Sequence, residues 1–421
     1  MQSSIKLRLT VMNFLQFAVW GAYLTSMGRY LGTAGFGSEI GNFYAMQGLV
    51  SLFMPALMGI VADRWIPAQR LLGVCHMLAG MLMLGVFLYT QTDTPSYPTL
   101  FALYSLSVAF YMPTLALSNS VAYTSLDQAG LDLVKSFPPI RVFGTVGFIC
   151  TMITVSLLGL EATSGQFAVS AIISLVLAVY AQTLPNCPTA PKGQSKSLVE
   201  ALGLRAFVLF KQRKMALFFI FSMLLGVSLQ ITNGFANPFI STFGEIPAYA
   251  DTFGVKYANI LISLSQLSET LCILLIPFAL RRFGIRRVML IAMVAWVLRF
   301  ALLGLGNPGS GVWLFLLSMI VYGVAFDFFN VSGSLFVDKE TDPSIRSSAQ
   351  GLFMIMTNGI GATLGSLGAQ AVINRFVYSQ SDTTAILAGW SMSWYVFAGY
   401  AAVVAVLFAL LFRYNTATEA K

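Results

Sequence analysis

Apolar runs of membrane-spanning length recur along the whole chain, each closed by a short charged or Gly/Pro-rich connection. Their continuity predicts helices, because a membrane β-barrel would show alternating segments of about 10 residues. Twelve spans can be drawn. Six cover residues 9–31, 38–62, 69–90, 97–121, 134–160 and 165–185; six more cover 214–241, 255–280, 286–305, 311–337, 346–374 and 387–412. The first apolar run is too long for a signal-peptide core and lacks a clear cleavage pattern, so it reads as the first span. The longest polar connection, 186–213, carries Pro188, Pro191 and Ser195 and then an amphipathic piece, 198–210. That is a cytoplasmic linker with an interfacial helix. The predicted organisation is an N-terminal six-helix half (1–185), the linker (186–213) and a C-terminal six-helix half (214–421), all α-helical.

Composition narrows the class. Of 421 residues 57% are hydrophobic and only 10% are charged, against about 25% charged in a soluble domain. The chain cannot cover a water-facing surface and is an integral membrane protein. A net charge of +8 therefore speaks to topology and not to nucleic acid. Of the 24 Lys and Arg, Arg29, Lys256 and Arg375 fall in odd-numbered loops and Arg141 and Arg299 fall within spans. The rest lie in the termini and even-numbered loops, which places both termini and the linker in the cytoplasm. The four cysteines are scattered without a CxxC and read as packing residues.

Fourteen of the sixteen acids sit in loops or at span ends; Glu269 and Asp327 do not. Glu269 is twelve residues short of Arg281, roughly 18 Å along a helix and so near the bilayer midplane. A carboxyl there is costly and marks a substrate or proton pathway by default. Burial favours the protonated form of a carboxyl, which suits proton exchange. The competing reading makes each acid a structural partner of Arg141 or Arg299. Gln266 shares a helix face with Glu269. Gln230, Asn233 and Asn237 form one stripe of span 7; such amides suit a neutral ligand rich in hydroxyls and ring carbonyls, or else glue helices together. Arg141, Thr145 and Phe148 share a face of span 5, behind Pro138-Pro139, which predicts an extended approach to that helix. Tyr322 and Phe326 are an i, i+4 aromatic pair beside Asp327, suited to stacking on a flat ring or simply to core packing. Gln16 and Trp20 in span 1 fit pocket lining or packing equally. His76, the single histidine, reads as a satisfied residue at the cytoplasmic interface.

Enzymatic signals fail. Gly304 to Gly309 matches GxGxxG but follows a membrane helix, not a strand. There is no P-loop, and one histidine forbids HExxH or any multi-histidine metal site.

Two stretches repeat weakly between the halves. Gly59, Asp63 and Arg64 close span 2, and the Arg281-Arg282 to Arg286-Arg287 run closes span 8. The first resembles the cytoplasmic loop motif of the major facilitator superfamily, which gates without touching substrate, although Trp65-Ile66-Pro67 departs from the usual continuation. The runs ending at Arg141, from Gln230 to Asn233 and from Ala325 to Asn330 are more specific. With Phe14 to Gly21, Met54 to Asp63 and Ser265 to Arg282 they resemble the nucleoside:proton symporter family of that superfamily, and the likeness runs through most of the chain. The resemblance implies a substrate cavity opening alternately to each side. It places nucleoside contacts on Arg141, Thr145, Phe148, Gln230, Asn233, Gln266, Glu269, Tyr322, Phe326 and Asp327, with Glu269 or Asp327 carrying the proton. It also implies a monomer of the bacterial inner membrane, driven by the proton gradient without cofactor or metal, with nucleoside, protons and lipid as partners. A carrier of another polar solute (a sugar, oligosaccharide or drug) on the same fold is the alternative. A non-transporting receptor or intramembrane enzyme is a third, opposed by the lack of catalytic groupings.

Overall fold

The structure is a computed structural model that describes residues 2–189, 204–343 and 345–414. Every regular element among these residues is helical, as expected where no water can satisfy a sheet edge. In chain order the helices are α1 (Gln2–Gly21), α2 (Met27–Thr33), α3 (Ile40–Ser51), α4 (Met54–Arg64), α5 (Ala68–Tyr89), α6 (Tyr97–Gln128), α7 (Leu133–Leu157) and α8 (Gly165–Ala181). After the linker come α9 (Arg213–Leu229), α10 (Ile231–Thr242), α11 (258–283), α12 (285–305), α13 (Val312–Glu340), α14 (Arg346–Met354), α15 (Ala362–Ile373) and α16 (Thr383–Leu411). Nine stretches among the described residues are long and apolar enough to cross a membrane. One of them, Ala258–Leu305, is two helices in line: Gly284 at φ 74° takes a left-handed conformation that breaks the run. The predicted amphipathic piece 198–210 lies partly outside the described residues; Leu204–Lys211 within it is a 3₁₀ helix.

Several spans that read as single helices are interrupted. The first breaks after Gly21 and resumes at Met27, the second pauses between Ser51 and Met54, and the seventh turns at Gln230. The eleventh widens into a π-helical turn at Ile355–Gly361. Each break keeps its amides bonded locally: Leu24 N reaches Trp20 O and Gly234 N reaches Gln230 O. Hydropathy is unchanged by such a break, so the sequence pattern did not register it.

Two compact units are present, formed by the described residues of Met1–Phe36 and Met46–Leu202, and of Gly37–Ala45 and Gly203–Lys421. In the first, α1 runs along α7, and α5 packs on α6 and α8. The α1–α7 approach depends on glycine: a methyl at Gly144 would lie 2.6 Å from the Phe17 ring, and one at Gly147 would lie 3.0 Å from Phe14 Cα. The core around Leu72, Val121, Leu126 and Leu177 is almost wholly apolar.

In the second unit, the α11–α12 pair packs on α13 and on α16. Its core is aromatic, with Phe300 stacked on Trp394 at 6.0 Å and 25°. Small residues bring α9 against α15 and the π turn: a methyl at Gly365 would sit 2.7 Å from the Val227 carbonyl carbon, and one at Gly226 would sit 2.8 Å from Thr357 Cα. The segment Gly37–Ala45 belongs to this unit. Gln370 accepts a hydrogen bond from Gly41 N and donates one to Gly37 O at 3.0 Å, while Asn374 donates to Ser38 O.

Candidate functional site

The first group of candidate residues lies on α7. The expected extended approach through Pro138-Pro139 is not seen. Both prolines lie inside the helix, because the first turn has already closed with Ser136 N bonded to Asp132 O. Arg141 therefore sits two turns into the helix. Its guanidinium lies 4.0 Å over the Phe17 ring, in the space that Gly144 leaves open; such stacking suits a planar cation. Arg141 and Thr145 are half-buried and Phe148 is buried. Phe148 meets Trp20 edge-on at 6.3 Å and 90°, and the Trp20 Nε1–H has no hydrogen-bond partner among the described residues.

Gln16 is committed to packing. Its Nε2 donates to Thr114 Oγ1 at 2.7 Å, and its Oε1 faces His76 Nε2 at 2.8 Å. His76 is fully buried, and its Nδ1 meets Ser174 Oγ at 2.9 Å. It is satisfied, as its sequence context implied, but in the core instead of at an interface.

The second group lies in the other unit. The turn at Gln230 brings its Oε1 to accept from Asn233 Nδ2 at 2.9 Å. Asn237, on the same predicted stripe, is a packing residue: its Nδ2 donates to Asn259 Oδ1 at 2.9 Å with both side chains buried. Gln266 and Glu269 on α11 are half-buried, and Asp327 on α13 is 5% exposed. The helices carrying these acids are tightly apposed. Ser268 donates to Ile320 O, and a methyl at Gly323 would lie 2.7 Å from Cys272 Sγ. Glu269 and Asp327 are close enough to interact electrostatically, and Tyr322 lies within reach of both. Asp327 Oδ2 is buried with no hydrogen-bond partner among the described residues. A buried acceptor of this kind is costly to leave unmade and marks a place where a proton or a ligand donor fits.

Tyr322 and Phe326 stack at 5.6 Å and 12°, the near-parallel arrangement their spacing allowed. The competing reading, in which Arg299 is an acid's structural partner, finds no such pair among the described residues. The described bonds of Arg299 go to Ser318 O at 2.8 Å and Ser265 Oγ at 3.3 Å, and its guanidinium lies 4.5 Å over the Tyr322 ring. Local spacing had no means of linking Arg299 to Tyr322, because the two lie on different spans. At the expected gating motif, a methyl at Gly59 would meet nothing within 4 Å among the described residues, so no close approach there accounts for that glycine.

The sequence model of the nucleoside H+ symporter family matches residues 3–417. The chain is 50% identical over 416 residues to the xanthosine permease of Escherichia coli (strain K12), covering 98% of this chain and 97% of that one. It is 47% identical over 415 residues to the nucleoside permease NupG of the same organism, with 98% and 97% covered. A crystal structure of the nucleoside transporter NupG superposes with a TM-score of 0.89 at 46% identity, covering 98% of this chain and all of that one.

Proposed function

The chain belongs to the nucleoside H+ symporter family, as a membrane transporter and not an enzyme, and we propose that it takes up nucleosides with protons across the bacterial inner membrane by alternating access. The observation that carries this is the chain-long match to nucleoside carriers, joined to a closely packed helix pair that bears two intramembrane acids beside a stacked aromatic pair. In this proposal Gln230, Asn233 and Gln266 bond ribose hydroxyls and base edges. Tyr322 and Phe326 of the second unit stack on the base, and Arg141, Thr145 and Phe148 are the first unit's candidate contacts. Glu269 or Asp327 takes a proton from outside, and its charge state biases which side is open. Gly59, Asp63 and Arg64 act on the gate. Twelve spans in two six-helix halves follow from the apolar runs, and a cytoplasmic linker and cytoplasmic termini from the charge distribution. The working unit is a monomer that needs no cofactor, the proton gradient being the energy source.

The relatives carry differing names, xanthosine permease and nucleoside permease, so base preference is the property to measure. Purified protein in proteoliposomes, given an inward proton gradient and labelled uridine, is challenged with adenosine, xanthosine, cytidine and a panel of sugars. Competition by nucleosides and none by sugars is expected. Sugars that displace uptake where nucleosides do not would overturn the assignment.

A further inference from the structure

Resting on that transport reading, we propose that Arg299 is a positioning residue for nucleoside binding: it holds Tyr322 face-on and locks the two acid-bearing helices in register. The side chain is 2% exposed. A guanidinium so deeply buried is expensive, and an acid partner is the usual remedy. Arg299 has none among the described residues. Its hydrogen bonds go only to neutral groups, and its Nε–H is unmatched. A cation retained at that cost has a use that an apolar side chain of similar volume would not supply.

Its contacts show what the use is. From α12 it reaches both neighbours. Nη1 bonds Ser318 O on α13 and Ser265 Oγ on α11, and Ser318 Oγ returns a bond to Arg299 O at 2.9 Å. Ser265 immediately precedes Gln266 and lies one turn before Glu269. The guanidinium Cζ lies over the Tyr322 ring at 4.5 Å, while Phe326 stacks along the same helix at 5.6 Å. Trp296 closes on the tyrosine edge-on, at 6.0 Å and 86°. Tyr322 is thus contacted by a cation, a perpendicular indole and a near-parallel ring, which in this proposal restrict its tilt before substrate arrives. Preorganisation of this kind lowers the cost of binding without adding a contact. A lysine would keep the charge but lose the plane and the forked donors.

The test is a double-mutant cycle on uridine uptake in proteoliposomes, using Arg299→Lys, Tyr322→Leu and the double variant of the full chain. Arg299→Lys is expected to raise KM about tenfold, the scale of one lost hydrogen bond to a charged group, with kcat changed less than twofold. In the Tyr322→Leu background the same substitution is expected to raise KM less than twofold, because the ring it positions is gone. An unchanged KM in Arg299→Lys, or multiplicative effects in the cycle, would overturn the role. Should Arg299→Lys fail to reach the membrane, Ser265→Ala removes one of the guanidinium's bonds, together with the hydroxyl's own bond to Met319 Sδ. It is expected to raise KM two- to threefold with Tm unchanged, and an unaltered KM there counts against the proposal. Wild-type vesicles that accumulate no nucleoside would instead overturn the transport reading.

Discussion

At the scale of single residues, the proposed coupling chemistry rests on two carboxyls. Symport requires an acid that can be protonated on one side and released on the other. Glutamine and asparagine keep the shape and remove the proton. Glu269→Gln is therefore expected to abolish gradient-driven accumulation of uridine while leaving exchange of labelled for unlabelled nucleoside measurable. The sign with pH follows: raising external pH depletes the protonated form, so uptake by the wild type falls, and in Glu269→Gln the residual exchange loses that dependence. A Glu269→Gln variant that still concentrates uridine would move the coupling to Asp327, which Asp327→Asn then tests. Both acids were legible in the sequence, because a carboxylate inside an apolar run is conspicuous whatever the fold. That Tyr322 and Phe326 form a pair was legible, since i, i+4 residues share a helix face; that they stack on each other was not. Arg299 on Tyr322 and Phe148 on Trp20 were not, since periodicity relates residues only within one helix.

At the scale of elements, the hydropathy pattern located helices and missed their interruptions. A break at Gln230 or a π turn at Ile355–Gly361 changes no side chain's polarity, so a window averaged over a whole span is blind to it. The glycines near these breaks are where sequence and packing meet. Gly365 faces backbone: its methyl would lie 2.7 Å from the Val227 carbonyl carbon and from Val227 Cα. Nothing flexible can yield, so α9 and α15 must move apart. Gly365→Ala is expected to destabilise the protein by about 1–3 kcal/mol, the usual cost of overpacking. Gly368, on the same helix, would place its methyl in open space, and Gly368→Ala should be neutral or slightly stabilising, since alanine is the better helix former. Thermal unfolding in detergent reads both. Equal Tm values for the two variants would mean that the small-residue contact does not set the helix spacing.

At the scale of the whole molecule, orientation is a claim about charge and not about packing, and it can be tested independently of transport. The described chain places Arg281, Arg282, Arg286 and Arg287 around the break at Gly284, and Lys339 at the end of α13. Cations flanking spans are retained on the cytoplasmic side, so these two helix ends should face inward and the Phe243–Glu245 turn after α10 should face outward. Glu245 and Lys339 are both exposed, which makes each a suitable site for a reporter thiol. The native background is small: Cys75, Cys187 and Cys272 are buried, and Cys150, the exposed one, is replaced by serine first. In intact cells a membrane-impermeant maleimide is expected to label Glu245→Cys, whereas Lys339→Cys should react only after the membrane is opened. The reverse pattern would put the termini outside and break the link between charge and topology on which the direction of uptake depends. Labelling of both in intact cells would show that one of the intervening helices, from α11 to α13, does not cross.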